Sequence, residues 1–354
     1  MIKYLDGFIY PAYSHEVKKM QNDRKLNVAV LGSGAWGSAL ACVLHKNGHK
    51  VTLWSAFEDE ANALAATRKS PLLNGAPLPA DMNITADKQA AADAELAILA
   101  VPSFAVEQTA AAFDATLPEN CVICNVAKGL CADSGLPFSE LIRARLTGRD
   151  VVTLSGPSLA DEVARNIPTA VVAASKSADA ARLVQDAFSG DVLRVYVSDD
   201  EIGVQLGGAV KNVIALCAGI SDGLGMGDNT KAALITRGMT EITRLGIAMG
   251  AQAETFSGLS CLGDLTVTCM SPISRNHRAG ILIGKGVSAQ EAIKQVGTVE
   301  GYHAARTVRM LAKKHGVEMP ITEECCKVCF EGSSPKDAII RLMSRPKKQE
   351  SPLS

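Results

Sequence analysis

From residue 26 the chain alternates short apolar runs with segments whose apolar positions recur every three to four residues. The runs are NVAVLG (27–32), KVTLW (50–54), ELAILAV (95–101), CVICNV (121–126), VVTLS (151–155), TAVVAA (169–174) and LRVYV (193–197). Helical patterns follow most of them, at 36–46, 104–115, 137–146 and 178–188. Strands covered on both faces read as unbroken apolar runs, so this alternation predicts a mostly parallel sheet with helices on each side. Past about residue 200 the strand signal stops. Segments 201–219, 230–250, 288–295, 300–315 and 320–331 read as helices joined by turns containing Gly, Ser and Pro. The expectation is an α/β domain over 25–200 and an all-α domain over 201–343. Tails are expected at 1–24 and 344–354, with Met20 a plausible true start. Asp199 and Asp200 are positioned to cap the helix that opens the second domain.

The bulk numbers agree with two cores. A chain of 354 residues with 47% hydrophobic and 21% charged positions can bury both. The net charge of −1 gives no reason to expect nucleic acid or an acidic membrane surface as partner. No signal peptide is read at the start, and no run approaches the ~18 apolar residues of a membrane span, so stable membrane insertion is not expected. The 10 cysteines are scattered rather than spaced as a framework, which suits free thiols in the cytoplasm. CVIC (121–124) lies in a strand pattern, where residues three apart point to opposite faces. CCKVC (325–329) lies in a helical pattern that puts Cys325 and Cys329 on one face. Neither is completed to a zinc set, and no metal site is expected.

The most legible stretch is LNVAVLGSGAWGSALACVLHKNGHKVTLW (26–54). A GxGxxG pattern alone says little. Here it follows an apolar strand, opens a helix, and the helix ends at Asn47–Gly48 before a second strand. That is the setting of a Rossmann-type dinucleotide site. Gly32 allows the tight turn, Gly34 lets a pyrophosphate approach the backbone, and Gly37 lets the helix pack on the strand. The helix N-terminus offers unpaired N–H groups to the anion. At the end of the second strand an acid would suit NAD and a base NADP. The chain has Ser55 and Ala56 there, with Glu58 and Asp59 slightly late, so either cofactor remains open.

Polar groups in apolar or glycine-rich surroundings are the candidates for chemistry. Lys128 in NVAKGL follows a strand, as do Ser155, Gly156 and Ser158 in SGPSLADEVA. Sheets of this kind bind ligands at those strand ends. Asp264 stands beside Gly263 in an apolar run. SRNHRAG (274–280) reads as a capped helix start, where Ser274, Arg275 and Asn276 could take a phosphate or serve only as an ordinary cap. Lys211 sits in GGAVKNVIALCAG, and its own helical face holds only Gly207, Gly208, Ile214, Ala215 and Ala218. It either snorkels to water or points into a site.

In order along the chain, GSGAWGSAL, AVPS, AKGL, SGPSLADEVA, GGAVKNVIALCAGISDGLGMGDNTKAALITRG, GLGDLTVTC, SRNHRAG and TVEG resemble the NAD(P)-dependent glycerol-3-phosphate dehydrogenases of the bacterial type. The resemblance covers roughly 26–340. It implies reversible hydride transfer between NAD or NADP and the C2 of dihydroxyacetone phosphate, giving sn-glycerol 3-phosphate for phospholipid synthesis, in a homodimer. Lys211 matches the general acid/base, with Asp264 and Lys128 beside it in the catalytic set. Lys128, Gly156, Ser158, Lys211, Asp264, Ser274, Arg275 and Asn276 match substrate-binding positions. Ala35, Trp36, Lys128, Ala160, Arg275, Val299 and Glu300 match dinucleotide contacts, beside Gly32, Gly34 and Gly37. On this reading an apolar helix face lowers the Lys211 pKa by desolvation, Asp264 raises it, and the flanking glycines let substrate come close.

Ala56 and Phe104 depart from the family's commoner residues. The histidines are expected to be incidental, with His277 and His303 at the surface or behind the site. Glu241 with Arg244, and Arg306 with Arg309, read as solvated helix faces. Two other functions compete: a β-hydroxyacid or sugar-acid dehydrogenase of the same plan, and a dinucleotide sensor without chemistry. The first need not have both Lys128 and the phosphate-type helix start, and the second would have lost Lys211 or Asp264.

Overall fold

The computed structural model describes residues 24–347 together with 349 and 350. Met20, the rest of the tail predicted before Arg24, and residues 351–354 lie outside the described residues.

The first half is built as β1 (Asn27–Leu31), α1 (Ala35–Lys46), β2 (Lys50–Trp54), α2 (Glu58–Thr67), β3 (Lys69–Ser70), β4 (Ala76–Pro77), β5 (Asn83–Thr85), β6 (Leu96–Leu99), α3 (Val106–Phe113), β7 (Val122–Asn125), α4 (Phe138–Arg145), β8 (Val151–Ser155), α5 (Ala160–Ala164), β9 (Thr169–Ala174), α6 (Ala178–Phe188) and β10 (Leu193–Ser198). Eight strands form one sheet in the order β10-β9-β8-β7-β6-β1-β2-β5. Every position of β6, β7 and β8 is buried, as their unbroken apolar runs require. The sheet is parallel except at β8 and β9, where Leu154 pairs with Ala173 in an antiparallel register. Apolar clusters lie on both faces. Cys124 belongs to one and Cys121 to the other, so the two thiols do point to opposite sides. The strands β3 and β4 pair only with each other.

The second half is helical: α7 (Glu201–Gly223), α8 (Asp228–Ala248), α9 (Asp264–Met270), α10 (Arg275–Gly284), α11 (Ala289–Val296), α12 (Glu300–Lys314), α13 (Pro320–Phe330) and α14 (Pro335–Met343). Asp200 caps α7 by accepting from Gly203 N at 2.8 Å. Helix α7 is long and apolar enough to cross a membrane by length and composition, contrary to the expectation that no segment is. Its most apolar 18-residue stretch is 94% buried, and it serves as the central helix of the core. Helix α10 crosses it at backbone contact. A Cβ at Gly219 would stand 2.1 Å from His277 O, and one at Gly280 would stand 2.2 Å from Leu216 O. Gly223 and Gly284 repeat this contact one turn on. Four glycines at i, i+4 spacing thus set how closely α10 approaches the C-terminal part of α7.

Of the two pairs expected on solvated helix faces, Glu241 with Arg244 is otherwise. Glu241 is buried, and its carboxylate accepts from Ile321 N at 2.6 Å and Thr322 N at 3.2 Å, capping α13 from α8. Burial pushes its pKa up to about 7 against those hydrogen bonds. Arg244 is only partly exposed, and its Nη2 is buried without a partner. Arg306 is exposed but lies over the Phe330 ring at 4.0 Å, and Arg309 pairs with Glu331 at 2.6 Å. The described part of the C-terminal tail folds back, with Arg345 on Glu318 at 3.1 Å.

Candidate active site

Strands β7 and β8 end side by side in the sheet, and the loops leaving them carry Lys128 and the Gly156–Ser158 turn. Gly156 has φ +145, and a Cβ there would meet Val171 Cα at 3.0 Å, so the turn is shaped for glycine. Lys128 Nζ donates to Gly156 O at 2.9 Å, Ser158 Oγ at 3.2 Å and Asp264 Oδ2 at 2.6 Å. An ammonium has three donors, and all three of these are engaged.

Asp264 opens α9 and is buried. Its other oxygen, Oδ1, accepts from Lys211 Nζ at 2.8 Å. The Lys211 ammonium also donates to Thr268 Oγ1 at 2.6 Å. Thr268 in turn donates to Asp264 O at 2.6 Å, which leaves its oxygen lone pairs toward the lysine. Two of the three Lys211 donors are therefore used by the protein. The lysine is buried and does not snorkel. Gly207 and Gly208 make room for protein rather than substrate: Cβ atoms there would meet Cys261 Cβ and Ser155 Oγ, each at 2.8 Å.

The electrostatics follow from this triad. Burial lowers the Lys211 pKa to about 8, with Asp264 pulling it up and Lys128 pushing it down. Burial alone would raise the Asp264 pKa. The two ammonium groups overcome that, and the carboxyl stays below its ordinary value. A carboxylate between two ammonium groups leaves the cluster with one surplus positive charge.

The start of α10 joins this cluster through two asparagines. Asn276 Nδ2 donates to Asn212 Oδ1 at 3.0 Å, and Asn276 Oδ1 accepts from Gly301 N at 2.8 Å. Asn212 is the neighbour of Lys211. Ser274 caps α10 by accepting from His277 N at 3.3 Å. Arg275 is exposed and makes no hydrogen bond or ion pair among the described residues. Ser274 and Arg275 form no bond with either lysine. His277 is buried behind them, bonded to Asp222 at 2.7 Å, and Lys231 holds the same Asp222 oxygen at 2.8 Å.

The glycine-rich turn has the form a pyrophosphate requires. Gly32 has φ +125, and a Cβ there would lie 2.5 Å from Ala100 O. A Cβ at Gly37 would lie 2.0 Å from Gly32 O. At Gly34, the N-cap of α1, nothing lies within 4 Å of a Cβ and no side chain caps the helix. The open side of the turn and the uncapped N–H groups therefore coincide. Ala35 and Trp36 form the first turn of α1, and Ala160 opens α5, which packs on α1. Val299 is buried as the N-cap of α12 and Glu300 is its first residue. Ser103, just past β6, donates to both Glu300 oxygens at 3.0 and 2.9 Å, and so ties the two halves together. Burial raises the Glu300 pKa, and the Ser103 hydrogen bond opposes the rise. These residues fit a dinucleotide laid along the carboxyl edge of the sheet.

Sequence reading missed Thr268, Asn212 and Ser103. Thr268 lies four residues after Asp264, a helical spacing that could have flagged it. Asn212 adjoins Lys211, and Ser103 gives no signal beyond its place after a strand.

A Rossmann-type sheet, a helical second domain and a buried lysine–aspartate–lysine cluster between them define a nicotinamide-dependent oxidoreductase. The family models described as the N-terminus and C-terminus of NAD-dependent glycerol-3-phosphate dehydrogenase match residues 27–181 and 200–340, and the chain belongs to that family. It is 47% identical over 327 residues to a glycerol-3-phosphate dehydrogenase (NAD(P)+) of a Thermoanaerobacter strain, covering 92% of this chain and 99% of that one. It is 50% identical over 329 residues to one from Pelotomaculum thermopropionicum, covering 91% and 94%. A crystal structure of glycerol-3-phosphate dehydrogenase from Coxiella burnetii is similar with a TM-score of 0.86 at 38% identity, covering 91% of this chain and 99% of that one.

Proposed function

We propose that Lys211 is the general acid/base of an NAD(P)-linked interconversion of dihydroxyacetone phosphate and sn-glycerol 3-phosphate. The activity itself follows from family membership. The observation that carries the residue assignment is the buried Lys211 ammonium, with two donors fixed on Asp264 and Thr268 and a pKa near 8. When bound, the nicotinamide dinucleotide supplies or accepts the hydride at C2. As C2 is reduced, charge builds on its oxygen. The remaining Lys211 donor stabilises that charge and delivers the proton. In the oxidative direction the neutral amine takes the proton from the C2 hydroxyl. Asp264 and Thr268 orient the amine. Lys128, held by three acceptors, acts as a fixed positive charge.

The phosphate is assigned to the N-terminus of α10, where Ser274, Arg275 and Asn276 combine unpaired N–H groups with a forked cation. Gly156 and Ser158 complete the substrate side. Gly32, Gly34, Ala35, Trp36, Gly37, Lys128, Ala160, Arg275, Val299 and Glu300 are assigned to the dinucleotide. The reading divides the chain into a dinucleotide domain over 25–200 and a helical catalytic domain over 201–343. It includes a cytoplasmic homodimer that supplies glycerol 3-phosphate for phospholipid synthesis, with sedimentation velocity as the check on the dimer.

The test is absorbance at the reduced-nicotinamide band after addition of dihydroxyacetone phosphate, with NADH and NADPH run in parallel. Lys211→Ala should lower kcat by about 10²–10⁴ while NADH still binds. A near-normal kcat in this variant would remove Lys211 from the mechanism and turn attention to Lys128.

A further inference from the structure

A cavity of about 430 Å³ opens between α7, α8, α13 and α14, and none of the residues assigned above lines it. Its walls are mostly apolar, lined by Ile220, Leu234, Ile321, Val328, Ile339 and Leu342. Two polar side chains in it have no partner among the described residues. Arg244 Nη2 is buried with none, and Arg244 makes no ion pair among the described residues. Ser221 Oγ, which also lines the cavity, is likewise buried with none among the described residues. A guanidinium nitrogen taken out of water without a partner is costly, and buried polar groups are otherwise almost always satisfied.

The other charges in the cavity are engaged. Glu241 holds the first N–H groups of α13. Glu324 holds Lys327 and Arg341, and Arg345 holds Glu318. Arg237 lies 3.6 Å from Glu350, whose carboxylate sits at the same cavity. Arg244 is thus the charge left over, and the chain's own carboxylate already approaches this surface beside it.

We propose that this cavity binds a small organic anion with an apolar body, its carboxylate or phosphate on Arg244 and Ser221 and its chain along the α13–α14 wall. Its volume falls in the range of small-molecule sites, which are mostly apolar with a few convergent polar groups. A compact polar anion such as the substrate would leave the apolar walls unfilled, so the two sites select different ligands.

Decanoate is the probe, titrated by calorimetry into the intact enzyme, with 1-decanol as the neutral control. Decanoate should bind saturably, one per chain, and decanol should bind at least about tenfold more weakly, the size expected of a charged hydrogen bond. Arg244→Met keeps the stem, breaks no existing pair and removes an unpartnered buried nitrogen, so turnover should be unchanged and the thermal midpoint should hold or rise while decanoate affinity falls about tenfold or more. Ala233→Glu, on the exposed turn of α8 that lines the cavity, should also weaken binding. Equal affinity in wild type and Arg244→Met would overturn the proposal, as would decanol matching decanoate or an absence of saturable binding. Binding confined to a dissociated species in sedimentation velocity would mean that a second copy covers the cavity, and that also sinks it.

Discussion

A lysine at the centre of an apolar helix face carries its consequence in its pKa. Lys211 is shifted to about 8 chiefly by burial, so it changes charge in a range where enzymes can be assayed. Ketone reduction needs the protonated form. Its kcat/KM should be level below about pH 8 and fall roughly tenfold per unit above it. Alcohol oxidation needs the neutral amine, so its kcat/KM should climb with the same slope up to about pH 8 and then level off. Opposed profiles that cross near one pH are the expected result of stopped-flow or steady-state assays in both directions. Two parallel profiles would assign the titration to some other group. The same shift bears on folding. The ordinary lysine value is 10.5, so between about 8 and 10.5 the unfolded chain binds more protons, and this residue's contribution to stability rises with pH there.

Among the elements, β1 and α1 with the turn between them offer the sharpest separation of folding from binding. Gly37 is closed by backbone: a methyl group would meet Gly32 O at 2.0 Å, and main chain cannot rotate away as a flexible side chain can. Gly34 faces open space. Gly37→Ala should therefore lower the thermal midpoint and lose NADH affinity together. Gly34→Ala should melt as wild type and lose NADH affinity alone, measured by quenching of Trp36 and Trp54 fluorescence. A Gly37→Ala variant of unchanged stability would show that α1 does not rest on the turn as described. This turn was legible because three glycines, a strand and a helix agree on one geometry. Seven of the strands were legible from their apolar content: burial on both faces writes an unbroken run in β6, β7 and β8, while β10 at the edge of the sheet alternates buried and exposed positions. The short β3, β4 and β5 have too few residues for any period to show. Helix α9 was hidden by its composition: Thr266, Val267 and Thr268 are β-branched and favour a strand when read alone. Tertiary packing against α7 decides it, and with it the place of Thr268. The reversed direction of β9 was also invisible, because an apolar run carries no sign of which way it pairs.

On the scale of the whole molecule, the buried Asp264 carboxylate joins the halves. Asp264 comes from the helical half, Lys128 from the sheet half, and Lys211 from the central helix. Sequence could propose these three residues but not that a single aspartate would hold both ammonium groups, because the contacts span 136 and 53 positions. A surface pair of this kind would contribute only about 0–1 kcal/mol. Here the carboxylate is buried, and its removal leaves two like charges facing each other. Asp264→Asn should therefore cost about 3–5 kcal/mol in denaturant unfolding. Adding Lys128→Met to that variant removes one of the stranded charges and should restore part of the loss, while Lys128→Met alone should destabilise. That reversal of sign is what coupling across the two halves demands. Turnover should stay low in all three variants, since the double variant recovers packing but not the orientation of Lys211. If the two substitutions instead added independently, each costing about 1 kcal/mol or less, the halves would be held by apolar contact and by ties such as Ser103–Glu300, Arg143–Glu201 and Ser139–Gln205, and the triad would serve chemistry alone.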